Sequence, residues 1–142
     1  MSKPSEVIDA LMEQLQDDSD LSAMSPLFLK GMRERIERTP AIMVELLSLT
    51  ETDADDVGAF IDQEIQLALI AYQNVSVPDE QLEGILDFSN AIKKAIEADP
   101  TLGGTVIDTN LPEEHHDFIN FPTRSIALGV VCKNRIVRAV RT

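Results

Sequence analysis

The chain has 142 residues, 44% of them apolar and 4% aromatic with no Trp, so it is long enough to bury one aliphatic core and is neither disordered nor fibrous in composition. Its net charge of −13, from 25 acids against 12 bases, repels phosphate backbones and argues against nucleic-acid binding, sequence-specific binding included. One cysteine, Cys132, excludes an internal disulfide or a Cys-rich zinc site, and no run approaches the roughly 18 apolar residues of a membrane helix, so a single soluble domain over residues 1–142, made in a cytoplasm, is expected.

The N-terminus mixes apolar and acidic residues and has no signal core. Val7, Ile8, Leu11, Met12 and Leu15 form an apolar stripe that predicts a helix over residues 4–18, with Pro4 and Glu6 suited to its first turn. Ser25-Pro26 resembles a second start. Leu29, Met32 and Ile36 at helical spacing predict a short helix over 27–38, which Gly31 weakens and Thr39-Pro40 ends. Residues 41–49 then alternate as a strand. The acidic stretch 50–57, closed by Gly58, reads as a turn or exposed loop. Residues 63–75 make the best strand, apolar on both faces at its middle through Leu67, Leu69 and Ala71 on one side and Ala68, Ile70 and Tyr72 on the other. Such a strand belongs in the centre of a sheet, and with 41–49 it forms an antiparallel hairpin.

Pro78, Asp79 and Glu80 open a long helix to about residue 98, with Leu82, Ile85, Leu86, Ser89, Ile92, Ala95 and Ile96 on one face. Asp99-Pro100-Thr101-Leu102-Gly103-Gly104 closes it. Pro100 cannot continue a helix, and Gly103 or Gly104 can take the positive φ of a sharp exit. A short strand near 105–108, a polar loop over 110–123 and a strand over 125–132 follow; residues 135–140 either continue that strand or form another. The fold class is α+β, with helices packed on one mixed or antiparallel sheet in the order α-β-β-α-β-β.

Charge is unevenly placed. Residues 51–64 hold Glu51, Asp53, Asp55, Asp56, Asp62 and Glu64 and no base, whereas Arg124, Lys133, Arg135, Arg138 and Arg141 follow residue 118 with no acid. A solvated loop and tail account for such runs; the alternative is that acidic and basic ends of neighbouring copies face each other.

Taken in order, these landmarks resemble the tail terminator and tail-completion proteins of long-tailed bacteriophages, in particular the lambda-type minor tail protein U family. The resemblance rests on Thr39-Pro40-Ala41-Ile42-Met43-Val44 after an N-terminal helix, on the long strand 64–72 after a variable loop, on the helix exit at Asp99–Gly104 and on the closing strand 125–132. Residues 19–38 depart from the family's direct helix-to-strand link. What the resemblance implies is a non-enzymatic virion protein: copies of itself, six of them, form a ring on the end of the tail tube. The partners are the tail tube protein and a head-completion or connector protein, and the location is the virion tail. Glu51, Asp53, Asp55, Asp56 and Asp62 become candidates for the ring lumen or interface, and Arg124, Lys133, Arg135 and Arg138 for the opposing interface. Pro100, Leu102, Gly103 and Gly104 are structural turn residues. A lumen lined with acids would let DNA slide without sticking.

Other chemistry finds little support. His115-His116 point apart on an extended chain and have no further His or Cys group to complete a metal site. Cys132 sits in an alternating apolar strand, the place of a structural thiol rather than a nucleophile. Gly103-Gly104 runs from helix to strand, whereas phosphate loops run from strand to helix. No catalytic residue and no cofactor are expected. A second function class stays open: an acidic cytoplasmic interaction module or adaptor that binds a basic partner and has no viral role.

Overall fold

The computed structural model describes residues 3–31, 39–55, 57–74, 78–118 and 123–138. Its elements are α1 (Pro4–Asp17), α2 (Ser19–Met24), β1 (Leu27–Lys30), β2 (Ala41–Asp53), β3 (Phe60–Asn74), α3 (Pro78–Glu97), β4 (Asp108–Phe118) and β5 (Thr123–Val137). The strands form one sheet in the order β1-β2-β3-β5-β4, in which β1 and β2 are parallel and every other pair is antiparallel. The α+β class with a mixed sheet is as expected, and β3 lies at its centre, as a strand apolar on both faces must.

The core lies between the helices and one face of the sheet. Val7, Leu11, Met12 and Leu15 of α1 meet Ile85, Phe88, Ile92, Ala95 and Ile96 of α3 over Ile42, Val44, Leu67, Leu69, Ala71, Ile126, Leu128 and Val130. Along β3 the buried residues are Ile61, Gln63, Ile65, Leu67, Leu69 and Ala71, a strict period of two. The inward stripe of α3 is turned from the expected one: Phe88 is fully buried, while Leu82 and Leu86 are 52% and 44% exposed. Both stripes share Ile85, Ser89, Ile92 and Ile96, so periodicity alone could not choose the flank.

Four boundaries differ from expectation. Residues 27–30 form strand β1 beside β2, not the start of a helix; Ser25 takes a left-handed conformation that ends α2, and Gly31 has φ 77°. The rest of that expected helix lies outside the described residues. Residues 50–53 are strand, not loop, because β2 stays paired with β3 out to Asp53–Ile61. Residues 105–107 are not strand; β4 starts at Asp108. Residues 110–118 of the expected polar loop are strand β4, held by its pairing with β5, and 119–122 lie outside the described residues. Nothing in its own pattern, rich in acids and carrying Pro112, marks it as a strand. β5 runs unbroken to Val137, which settles the choice between one strand and two over the described part.

α1 also supplies a cap that sequence spacing does not reveal. Gln14 Nε2 donates to the carbonyls of Ala95 at 2.8 Å, Ile96 at 3.1 Å and Asp99 at 3.1 Å. The last carbonyls of a helix have no partner within it, so this amide satisfies them and ties α1 to the exit of α3.

Candidate assembly surface

The exit of α3 is built by one aspartate. The Asp99 carboxylate accepts from Thr101 Oγ1 at 2.6 Å, Thr101 N at 3.1 Å and Gly103 N at 2.9 Å. The Thr101 hydroxyl, followed by the Gly103 and Thr101 amides, holds the Asp99 carboxyl below the usual carboxylate range. Leu102, Gly103 and Gly104 all have positive φ, at 49°, 72° and 85°. Leu102 tolerates this because its side chain, 2% exposed, is anchored in the core. Pro100 is exposed just past the end of α3, where it does not interrupt the helix.

The charged candidates gather at one end of the sheet, with one exception. β2, β3 and β5 extend there together, and the register sets Glu64 opposite Lys133 and Asp62 opposite Arg135. Arg135 Nε donates to Asp62 Oδ1 at 2.7 Å, and this guanidinium holds the Asp62 carboxyl below its ordinary value. Arg138 donates to Asp53 and, through Nε, to the Gly58 carbonyl at 2.7 Å. Gln63 Nε2 donates to Glu51 Oε2 at 3.1 Å, and Asp55 Oδ1 accepts from Ala59 N at 3.0 Å in the β2–β3 turn. The acidic run and the C-terminal bases therefore meet within one chain, across neighbouring strands. Asp56 and Arg141 lie outside the described residues. Arg124 stands apart: it is 8% exposed, at the far end of β5, about 36 Å along the strand from Arg135.

A carboxylate that sequence reading passed over ties edge strand β4 to α3. Glu114 accepts from Lys93 Nζ at 2.6 Å, from His116 Nε2 at 2.8 Å and from the hydroxyl of Ser89. Burial pushes this carboxyl up, but the bonds from Lys93, Ser89 and His116, with the Lys93 charge, outweigh it and hold the pKa at about 2. They also explain a serine on the buried face of α3. His115 instead contacts Glu113, at 3.3 Å. Cys132 is fully buried, and burial raises its thiol pKa while Thr109 Oγ1 lies 3.8 Å from the sulfur.

The sign of the Glu114 contribution follows from its depressed pKa. The stabilisation is complete above the ordinary value of 4.5 and is lost as pH falls from there through about 2. Glu114→Gln should lower stability at pH 7 by about 1–3 kcal/mol, and urea melts should show the gap from the parent closing as the pH is taken down through that window. A gap that stays constant into acid would mean that the charge of Glu114 is not its source.

No protein-family model matches this chain, and no curated protein does. Among solved structures, its fold is similar to that of a chain in the virion of a native gene transfer agent particle, with a TM-score of 0.54 at 12% identity. The likeness covers 90% of this chain and 93% of that one, so nearly all of both chains shares one architecture.

Proposed function

We propose that this chain is a structural virion protein of a phage-type particle and, more narrowly, a tail terminator: a ring of six copies that caps the tail tube, stops its growth and offers the surface to which the head joins. The observation that carries the reading is the likeness of fold to a gene transfer agent virion chain over almost the full length of both. The ordered landmarks at Thr39–Val44 and Asp99–Gly104, which resemble the tail terminator family, narrow it further. A virion component acts through its surfaces, and exposed ion pairs of this chain, Arg135 with Asp62 and Arg138 with Asp53, gather at one end of the sheet. The partners are further copies of itself, the tail tube protein and a head-completion protein.

In the ring, the lumen is net negative, with some of Glu51, Asp53, Asp55, Asp56 and Asp62 at or near the channel, so that DNA passes without adhering. A ring of identical subunits needs a head-to-tail interface. Arg135 and Arg138 serve it only by sharing or exchanging the pairs they make within one chain with Asp62 and Asp53, and Lys133 stands opposite Glu64 on the neighbouring strand.

Particles made without this protein should carry tails of uncontrolled length that fail to join heads, and images of tails from the intact system should show the chain as one ring at the head-proximal end. Tails of normal length that join heads in its absence would refute the terminator role. Single scattered copies along the tube would refute the ring, and a basic lumen with these acids on the outer rim would refute the charge assignment.

A further inference from the structure

The register of β4 against β5 breaks once. Asp108, Thr109 and Asn110 pair with Lys133, Cys132 and Val131, and pairing resumes at Glu113 with Gly129. Leu111 and Pro112 lie at the break, and Pro112 has no N–H to give to a ladder. The break divides β4 into two parts that are held differently. The first is anchored in the body of the protein. Val106, just before it, is buried, Ile107 N donates to the Lys133 carbonyl at 2.7 Å, and Thr109 Oγ1 lies 3.8 Å from the Cys132 sulfur. Leu111, at the break itself, packs against the core.

The second part, residues 113–118, has β5 on one side and no strand among the described residues on the other. Glu113, His115 and His116 are exposed and the Glu114 side chain is 23% exposed, so none of these four belongs to the core. Glu113 and His115 contact each other. Glu114 is the one of the four that reaches the helix layer: it accepts from Lys93 Nζ at 2.6 Å and from the Ser89 hydroxyl, while His116 Nε2, on its own strand, lies 2.8 Å from its other oxygen. A segment that buries few side chains opens at a lower free energy than the whole domain. Here the main-chain ladder to β5 and one carboxylate do the holding.

We propose that residues 113–118 form a flap that opens from β5 while the rest of the sheet stays folded, hinged at Leu111-Pro112 and latched by Glu114 on Lys93 and Ser89 of α3. Opening bares the β5 edge from Arg124 to Gly129. The inference uses the fold alone and does not depend on the ring.

Hydrogen exchange at pH 7 in graded, sub-denaturing urea, read amide by amide, tests it. In the parent, the amides that join residues 113–118 to β5 should exchange through an opening at least about tenfold more frequent than that of the amides at the centre of β3. That opening should also depend less on urea, because it exposes less surface. Glu114→Gln should speed exchange in the flap at least about tenfold, the loss expected for a charge-assisted bond. Global unfolding also breaks the latch, so β3 amides should quicken by a like factor, whereas amides of α2 that exchange by fraying, with β4 in place, should not change. Lys93→Met should act as Glu114→Gln does, and the double variant should add little to either. Flap amides that match the centre of β3 in both rate and urea dependence would show that β4 opens only with the whole domain and overturn the proposal. Flap exchange left unchanged by both single variants would remove Glu114 as the latch and overturn it as well.

Discussion

Phe88→Ala is expected to lower the unfolding free energy by about 3–5 kcal/mol. Phe88 is fully buried at the contact between α3 and the sheet, in a core whose other members are almost all aliphatic. Truncation removes its transfer energy and leaves a cavity that rigid strands beneath cannot close. In thermal melts the loss should appear as a fall of roughly 10–20 °C, the scale for a chain of this size. Leu86→Ala is the matched comparison. Leu86 lies two residues earlier on the same helix but is 44% exposed, so its truncation should cost below about 1 kcal/mol. The contrast tests which flank of α3 faces inward; comparable losses at the two positions would show that the inward face has been misassigned.

Gly103→Val and Gly104→Val should each destabilise by about 1–3 kcal/mol, through backbone strain alone. Both glycines have positive φ, and nothing lies within 4 Å of a Cβ built at either position. A clash therefore plays no part: the cost is that of forcing a β-branched residue into the left-handed region. Gly103→Asn and Gly104→Asn should cost less, since Asn enters that region more readily. In a terminator, tail joining by the Val variants should fall only as far as folding falls. Should both melt like the parent yet fail to join tails, the glycines would be contact residues and the structural reading of this turn would be wrong.

The sequence alone determined those features that a local pattern encodes. The buried stripe of α1, through Val7, Leu11, Met12 and Leu15, follows from a 3.6-residue period, and the central place of β3 from apolar residues on both its faces. The stop of α3 before Pro100 and the positive φ at Gly103 and Gly104 follow from the backbone limits of proline and glycine. The burial of Cys132 follows from its alternating strand.

Tertiary structure decided whatever depends on a distant partner. β1 is a strand because Ala41–Val44 lies beside it, and β4, acidic and interrupted by Pro112, is a strand because β5 pairs with it and Lys93 and Ser89 of α3 hold Glu114. The acidic run looked like a loop because carboxylates are poor strand formers. Its residues 50–53 and 60–64 are nevertheless strand, because β2 lies against β3 and the register lays Asp62 against Arg135, 73 residues further along the chain, while Asp55 sits in the β2–β3 turn as expected. The same register turned two charge runs that sequence reading offered to neighbouring copies into pairs within one molecule, while Arg124, counted with those bases, is buried at the far end of β5. Local periodicity records how a segment prefers to bend and which side is apolar. It carries no record of which segment will lie beside it, and in a sheet assembled from such distant strands that neighbour decides both the structure and which charges remain for a partner.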